Sequence, residues 1–149
     1  MHWRDERCGG DGMAAALRQV MKMRDIMKPG PLTTTETTHL GDAHRMMSKH
    51  HIRHLPVTRG GRLCGILSER DVFEYRAKTA FREDWWRAPV GVAMAASPQT
   101  AGPDDSLTEV AGRLAAAKIG AMPIVERGEL IGLVTVTDVL EAEVAQSMS

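Results

Sequence analysis

Cysteine is scarce: Cys8 and Cys64 are the only two in 149 residues, and they stand far apart. Two isolated thiols give neither a disulfide framework nor a metal-binding spacing. Cys64, among apolar neighbours, reads as a small buried hydrophobe, and a reduced, cytoplasmic compartment is the expectation. A charge of one sign is also lacking. Lys and Arg number 19, as do Asp and Glu, so no overall field draws the chain toward nucleic acid or an anionic membrane. No apolar run approaches the roughly 20 residues of a membrane span. Met1 to Arg7 is charged with no apolar core behind it, unlike a secretory signal. Nor is there a nucleophile paired with a base, a Gly-rich phosphate loop or a metal motif. Catalysis is therefore disfavoured, and the length suits one domain or two small ones packed together.

What the chain does contain is a stretch that occurs twice. Arg53-His54-Leu55-Pro56-Val57-Thr58, the turn Arg59-Gly60-Gly61-Arg62, and Leu63-Cys64-Gly65-Ile66-Leu67-Ser68-Glu69-Arg70-Asp71 read as a β-hairpin running into a helix. An offset of 67 residues brings this stretch onto Gly120 to Asp138 without a gap. Under that offset Met27 meets Met94, Pro31 meets Pro98, Ile52 meets Ile119, Pro56 meets Pro123, Gly65 meets Gly132 and Asp71 meets Asp138. Pro, Gly and Asp coincide at turns and ends, so the chain is an internal duplication.

In order, residues 1–12 read as a flexible lead, 13–79 as the first repeat, 80–89 as a linker and 90–149 as the second repeat. Met13 to about Met23 has helical propensity, and Lys28-Pro29-Gly30-Pro31 stops it. Leu32 to Thr35 is predicted to be extended, with Thr37 or Thr38 capping a helix whose apolar face is Leu40, Ala43, Met46, Met47 and His50. A helix follows the hairpin from about Glu69 to Thr79. Trp85-Trp86, in the linker, is expected to pack on a neighbouring surface or a second subunit. In the second half Ser106 and Glu109 have capping-box spacing, Leu107, Val110, Leu114 and Ala117 form an apolar stripe, and a last helix spans about 136–146. Each half is thus predicted to be a small three-stranded sheet with two helices, an α+β arrangement. Two such halves can hide their sheets against each other.

The opening Asp25-Ile26-Met27-Lys28-Pro29, His54-Leu55-Pro56-Val57, Gly65 to Asp71 and their second copies Met122-Pro123-Ile124-Val125 and Gly132 to Asp138 carry a resemblance. From about residue 20 to 146 the chain resembles a tandem pair of cystathionine-β-synthase (CBS) domains, often called a Bateman module. The resemblance implies a non-enzymatic regulatory module, pseudo-symmetric and packed sheet to sheet. Such a module binds adenosyl ligands in clefts between its repeats and pairs into a homodimer. By resemblance, Asp71 and Asp138 hold ribose hydroxyls, and Ser68, Arg70, Thr135 and Thr137 face phosphate. Leu32, Thr33 and Thr34 in one site, and Gln99, Thr100 and Ala101 in the other, surround the base.

Elementary chemistry points the same way. A carboxylate only accepts, which suits the two donors of a diol, and a helix N-terminus favours phosphate. Arg70 adds a guanidinium fork. The same Ser/Thr-x-x-Asp spacing also suits a plain helix cap. Arg53-His54 precedes Pro56 where Gly120-Ala121 precedes Pro123, so the better phosphate site is expected to use Arg53 and His54, with the Asp138 half one candidate for the cleft they serve and the packing left to decide it. Arg53 and His54 also read as solvated residues at a strand start. His39, His44, His50, His51 and His54 are crowded together, yet no Cys or Glu completes a metal site, and none is expected.

The leading expectation is a sensor that needs no cofactor. It takes AMP, ADP or ATP as regulatory ligand, with NAD or S-adenosylmethionine less favoured, and acts on an unidentified regulated protein through conformational or dimer change. The alternative is a ligand-independent dimeric interaction module.

Overall fold

The computed structural model describes residues 21–80 and 82–148. The lead expected over 1–12, and all but the end of the helix expected from Met13, lie outside those residues. The chain divides into two compact units. The fold is α+β: among the described residues, five α-helices accompany one three-stranded and one four-stranded sheet.

The unit of residues 30–99 and 127–131 contains β2 (Thr34–Thr35), α2 (Leu40–His50), β3 (His54–Arg59), β4 (Arg62–Ser68), α3 (Glu69–Lys78) and β5 (Ala95–Ala96). Its sheet runs β2-β3-β4-β5. The β3–β4 turn is the sharp one the sequence announces. Gly60 and Gly61 both have positive φ, +57° and +80°, as a two-residue turn matching strand twist requires. Leu40, Ala43, Met47, Leu55, Val57, Leu67, Val72 and Val90 form a fully buried core. The cap expected from Thr37 or Thr38 is absent. His39 occupies the N-cap without a side-chain bond, and the Leu40 amide donates to the Ala88 carbonyl across 2.7 Å instead. The two threonines face Thr35, with Thr38 Oγ1 2.8 Å from Thr35 Oγ1. Trp85 and Trp86 begin a short 3₁₀ turn (Trp85–Arg87) that packs on α2. The Trp86 Cβ stands where a Gly41 Cβ would fall, 2.6 Å away, so Gly41 is what admits it.

The other unit, over its described residues 21–29, 100–126 and 132–148, holds α1 (Met23–Ile26), β1 (Lys28–Pro29), α4 (Leu107–Ala117), β6 (Ala121–Glu126), α5 (Val136–Ser147) and the end of β7 (Glu129–Thr135). Its sheet order is β1-β7-β6. Leu107, Val110 and Leu114 turn the predicted stripe of α4 into core, beside Met122, Ile124 and Val139. Ser106 Oγ caps this helix by accepting from the Glu109 amide at 3.1 Å.

The short lead strands pair crosswise. β1, from before the first repeat's hairpin, runs antiparallel to β7, with Lys28 opposite Leu133 and Pro29 opposite Gly132. β5, from before the second hairpin, runs antiparallel to β4, with Ala95 opposite Ile66 and Ala96 opposite Gly65. The register is the same in both. Gly65 and Gly132 explain the close pairing. A Cβ on Gly65 would meet Met94 Sδ at 2.5 Å, and one on Gly132 would collide with Met27 Sδ.

Candidate functional site

In each unit a β-strand ends in a hydroxyl residue that caps a helix, and the third helical residue is the aspartate. Ser68 caps α3: its Oγ accepts from the Asp71 amide at 3.0 Å, and Asp71 Oδ2 accepts from the Ser68 amide at 2.8 Å. Thr135 caps α5 likewise. Its Oγ1 accepts from the Asp138 amide at 3.2 Å, and Asp138 Oδ2 accepts the Thr135 amide at 2.9 Å and hydroxyl at 3.0 Å. The capping box is therefore real in both copies. It engages one carboxylate oxygen, Oδ2, and leaves the other, Oδ1, for a further donor.

Around Asp71 the chain gathers several predicted residues. His54 lies opposite Ser68 in the β3–β4 ladder, and the Arg53 carbonyl accepts the Glu69 amide at 2.9 Å, so both stand at the N-terminus of α3. His54 is half-buried and Arg53 and Arg70 are exposed. Burial pulls the His54 imidazole below its usual range, the Arg53 charge adds to this, and the Asp71 charge opposes it. Thr34 pairs with Val57, three residues along β3 from His54, which is about 10 Å at strand rise. That is a nucleoside-sized separation. Thr34 is buried and takes Thr58 Oγ1 on its carbonyl at 3.5 Å, whereas Leu32 and Thr33 are exposed. Gln99, at the end of this unit, is exposed.

Around Asp138 the frame repeats with different chemistry. The Val136 amide donates to Gly120 as Glu69 donates to Arg53, and Ala101 bridges Ile124 in parallel as Thr34 bridges Val57. Ala121 holds the place of His54. Thr137 is exposed, Ala101 is buried, and the Thr100 carbonyl accepts Arg113 Nη2 at 2.8 Å. The residue that the sequence reading missed here is Lys28. Its Nζ donates to Asp138 Oδ1 at 2.6 Å. That bond raises the lysine's pKa, helped by the charges of Asp138 and Glu141 and opposed by partial burial. The one available signal was that the 67-residue offset sets Lys28 against Ala95.

No group of three or more His, Cys, Asp and Glu side chains is placed to hold a metal among the described residues. No helix there is long and apolar enough to cross a membrane.

The family model for the CBS domain matches residues 23–78 and again residues 90–145. Inosine-5'-monophosphate dehydrogenase of Korarchaeum cryptofilum (strain OPF8) is 34% identical over 134 residues, 88% of this chain but 25% of that protein. The chain thus spans about a quarter of the length of this curated relative. Among solved structures, the CBS domain pair of protein MJ0100 in complex with 5'-methylthioadenosine and S-adenosyl-L-methionine superposes with a TM-score of 0.77 at 23% identity, covering 85% of this chain and 98% of that one. CBSX2 in complex with AMP gives 0.72 at 23% identity, with 85% and 98% covered. At such identities the likeness is one of fold.

Proposed function

The chain belongs to the CBS domain family, and from that premise we propose that it is a non-enzymatic sensor whose Asp71 half-site binds an adenine nucleotide. The observation that carries the reading is the state of Asp71. One of its oxygens is fixed by the Ser68 amide, and among the described residues no ammonium or guanidinium pairs with the carboxylate. It sits at a helix N-terminus where partial positive charge favours phosphate, beside Arg53 and His54. In this reading Asp71 accepts from the ribose diol, and Ser68, Arg70, Arg53 and His54 receive phosphate. Leu32, Thr33 and Thr34 flank the base. Asp138, Thr135, Thr137, Gln99, Thr100 and Ala101 are the corresponding candidates of the second repeat. That proteins of the same fold hold AMP, 5'-methylthioadenosine or S-adenosylmethionine supports the adenosyl class. The basic residues favour a phosphate-bearing member, AMP, ADP or ATP, over S-adenosylmethionine, with NAD next. The ligand acts by preferring one arrangement of a cytoplasmic homodimer, which a regulated protein then reads.

Calorimetric titration of ligand-free protein with AMP, ADP, ATP, NAD and S-adenosylmethionine tests this. Binding of a phosphate-bearing ligand, weakened by Asp71→Asn, is the expected result; no heat with any of the five contradicts it.

Exposed apolar side chains favour a second reading, a dimeric interaction module that needs no ligand. Phe73 on α3 is 50% exposed, and its counterpart Leu140 on α5 is 59% exposed, flanked by exposed Val136 and Val144 at helical spacing. Light scattering on Phe73→Glu and Leu140→Glu separates the readings. Loss of the dimer with nucleotide binding retained keeps both functions, whereas a dimer that never responds to nucleotide favours the second alone.

A further inference from the structure

Asp138 repeats the capping bonds of Asp71 yet differs in what its free oxygen meets. Lys28 lies opposite Leu133 on the neighbouring strand, and its ammonium reaches past the end of β7 to Oδ1 of Asp138. The equivalent place beside Asp71, opposite Ile66, is Ala95, whose methyl group offers no donor. Burial is lopsided within the pair: the side chain of Asp138 is 4% exposed and that of Lys28 is 66% exposed. A buried carboxylate needs a partner for its charge. The ammonium supplies one on a flexible arm that is itself mostly exposed. A hydroxyl donor approaching Oδ1 must displace a cation, and its own hydrogen bond to the carboxylate, though charge-assisted, lacks the attraction between two opposite charges.

We infer that Lys28 is a specificity-determining residue of the second repeat, an internal competitor that closes Asp138 to neutral diol ligands and leaves Asp71 as the open aspartate. This rests on the reading of both aspartates as ribose acceptors. The two halves are then unequal by construction, although their motifs match. The inequality is set by a residue outside the second repeat's own stretch of sequence. A lysine that served only to pin β1 against β7 would alter stability when replaced and leave ligand affinity alone.

Adenosine, a diol without phosphate, is the probe. It is titrated into Asp71→Asn, where the Asn oxygen preserves the cap acceptor, and into the same protein carrying Lys28→Met, which keeps the apolar stem. The expected result is a gain in adenosine affinity of about fivefold to tenfold on losing Lys28, the scale of a half-exposed ion pair. Adding Asp138→Asn cancels the gain. In Lys28→Met alone, adenosine stoichiometry rises from one to two per chain, which serves as the readout should Asp71→Asn fail to fold. Unchanged affinity and stoichiometry in protein whose AMP binding is weakened by Asp71→Asn overturn this inference and leave the sensor reading in place. Absence of adenosine and AMP binding from every variant, Lys28→Met included, overturns both.

Discussion

Lys28 and Asp138, 110 residues apart, form an ion pair at 2.6 Å that the first repeat does not reproduce, because Ala95 stands where Lys28 would. Lys28 is mostly in water, which discounts the pair, but its removal leaves the buried Asp138 carboxylate without a cation, so Lys28→Met lowers stability by about 1–2 kcal/mol, and less at high salt. Asp138→Ala loses the helix cap as well and leaves the Thr135 amide short of its acceptor, costing about 2 kcal/mol. Urea denaturation of both single variants and the double variant checks this, with the coupling between them falling as salt rises.

The crosswise pairing of the lead strands makes a second prediction. A Cβ on Gly65 would meet Met94 Sδ at 2.5 Å and the Ala95 carbonyl oxygen at 3.0 Å, and backbone does not yield easily. At Gly132 the three nearest atoms all belong to the Met27 side chain, whose Sδ and Cγ can move with the rotamer while its Cβ, at 3.2 Å, is in tight but not prohibitive contact. Gly65→Ala therefore destabilises by about 1–3 kcal/mol, and Gly132→Ala by clearly less. Thermal unfolding of the two variants decides, and an equal or larger loss at Gly132 contradicts the steric account.

His54 makes stability depend on pH. Burial chiefly, and Arg53 in addition, hold its folded pKa below the ordinary value, against the pull of Asp71. The unfolded chain therefore takes up this proton first as pH falls. The contribution of His54 is intact above about pH 6.5, declines below it, and levels off once the folded imidazole protonates too. Ala121 occupies the matching position in the second repeat, so His54→Ala is a tolerable test. Urea midpoints near pH 7.5 and near pH 5.5 should differ more for the parent chain than for His54→Ala. An unchanged difference removes His54 from the account.

Much of this was legible in the sequence, for identifiable reasons. Gly60-Gly61 between two short apolar runs marked a hairpin, and the structure has β3 and β4 on either side. Ser68 with Asp71 and Thr135 with Asp138 have cap spacing, and both boxes form. The partner of Asp138 was not legible. Sequence periodicity shows that residues 28–29 and 95–96 are equivalent, but two-residue strands carry no pattern that says which hairpin each joins. The missing Thr37 or Thr38 cap has a similar cause, since the Ala88 carbonyl that meets the Leu40 amide comes from 48 residues on. Chain-local rules such as capping preferences see only near neighbours.

The most direct test of the unequal aspartates is one calorimetric comparison: AMP titrated into the parent chain, Asp71→Asn and Asp138→Asn, each shown to be folded and ligand-free. Asp71→Asn is expected to weaken AMP binding by about tenfold or more, the scale of one charge-assisted hydrogen bond, while Asp138→Asn leaves it within about twofold. A loss confined to Asp138→Asn, or equal losses in both, contradicts the inequality of the two aspartates.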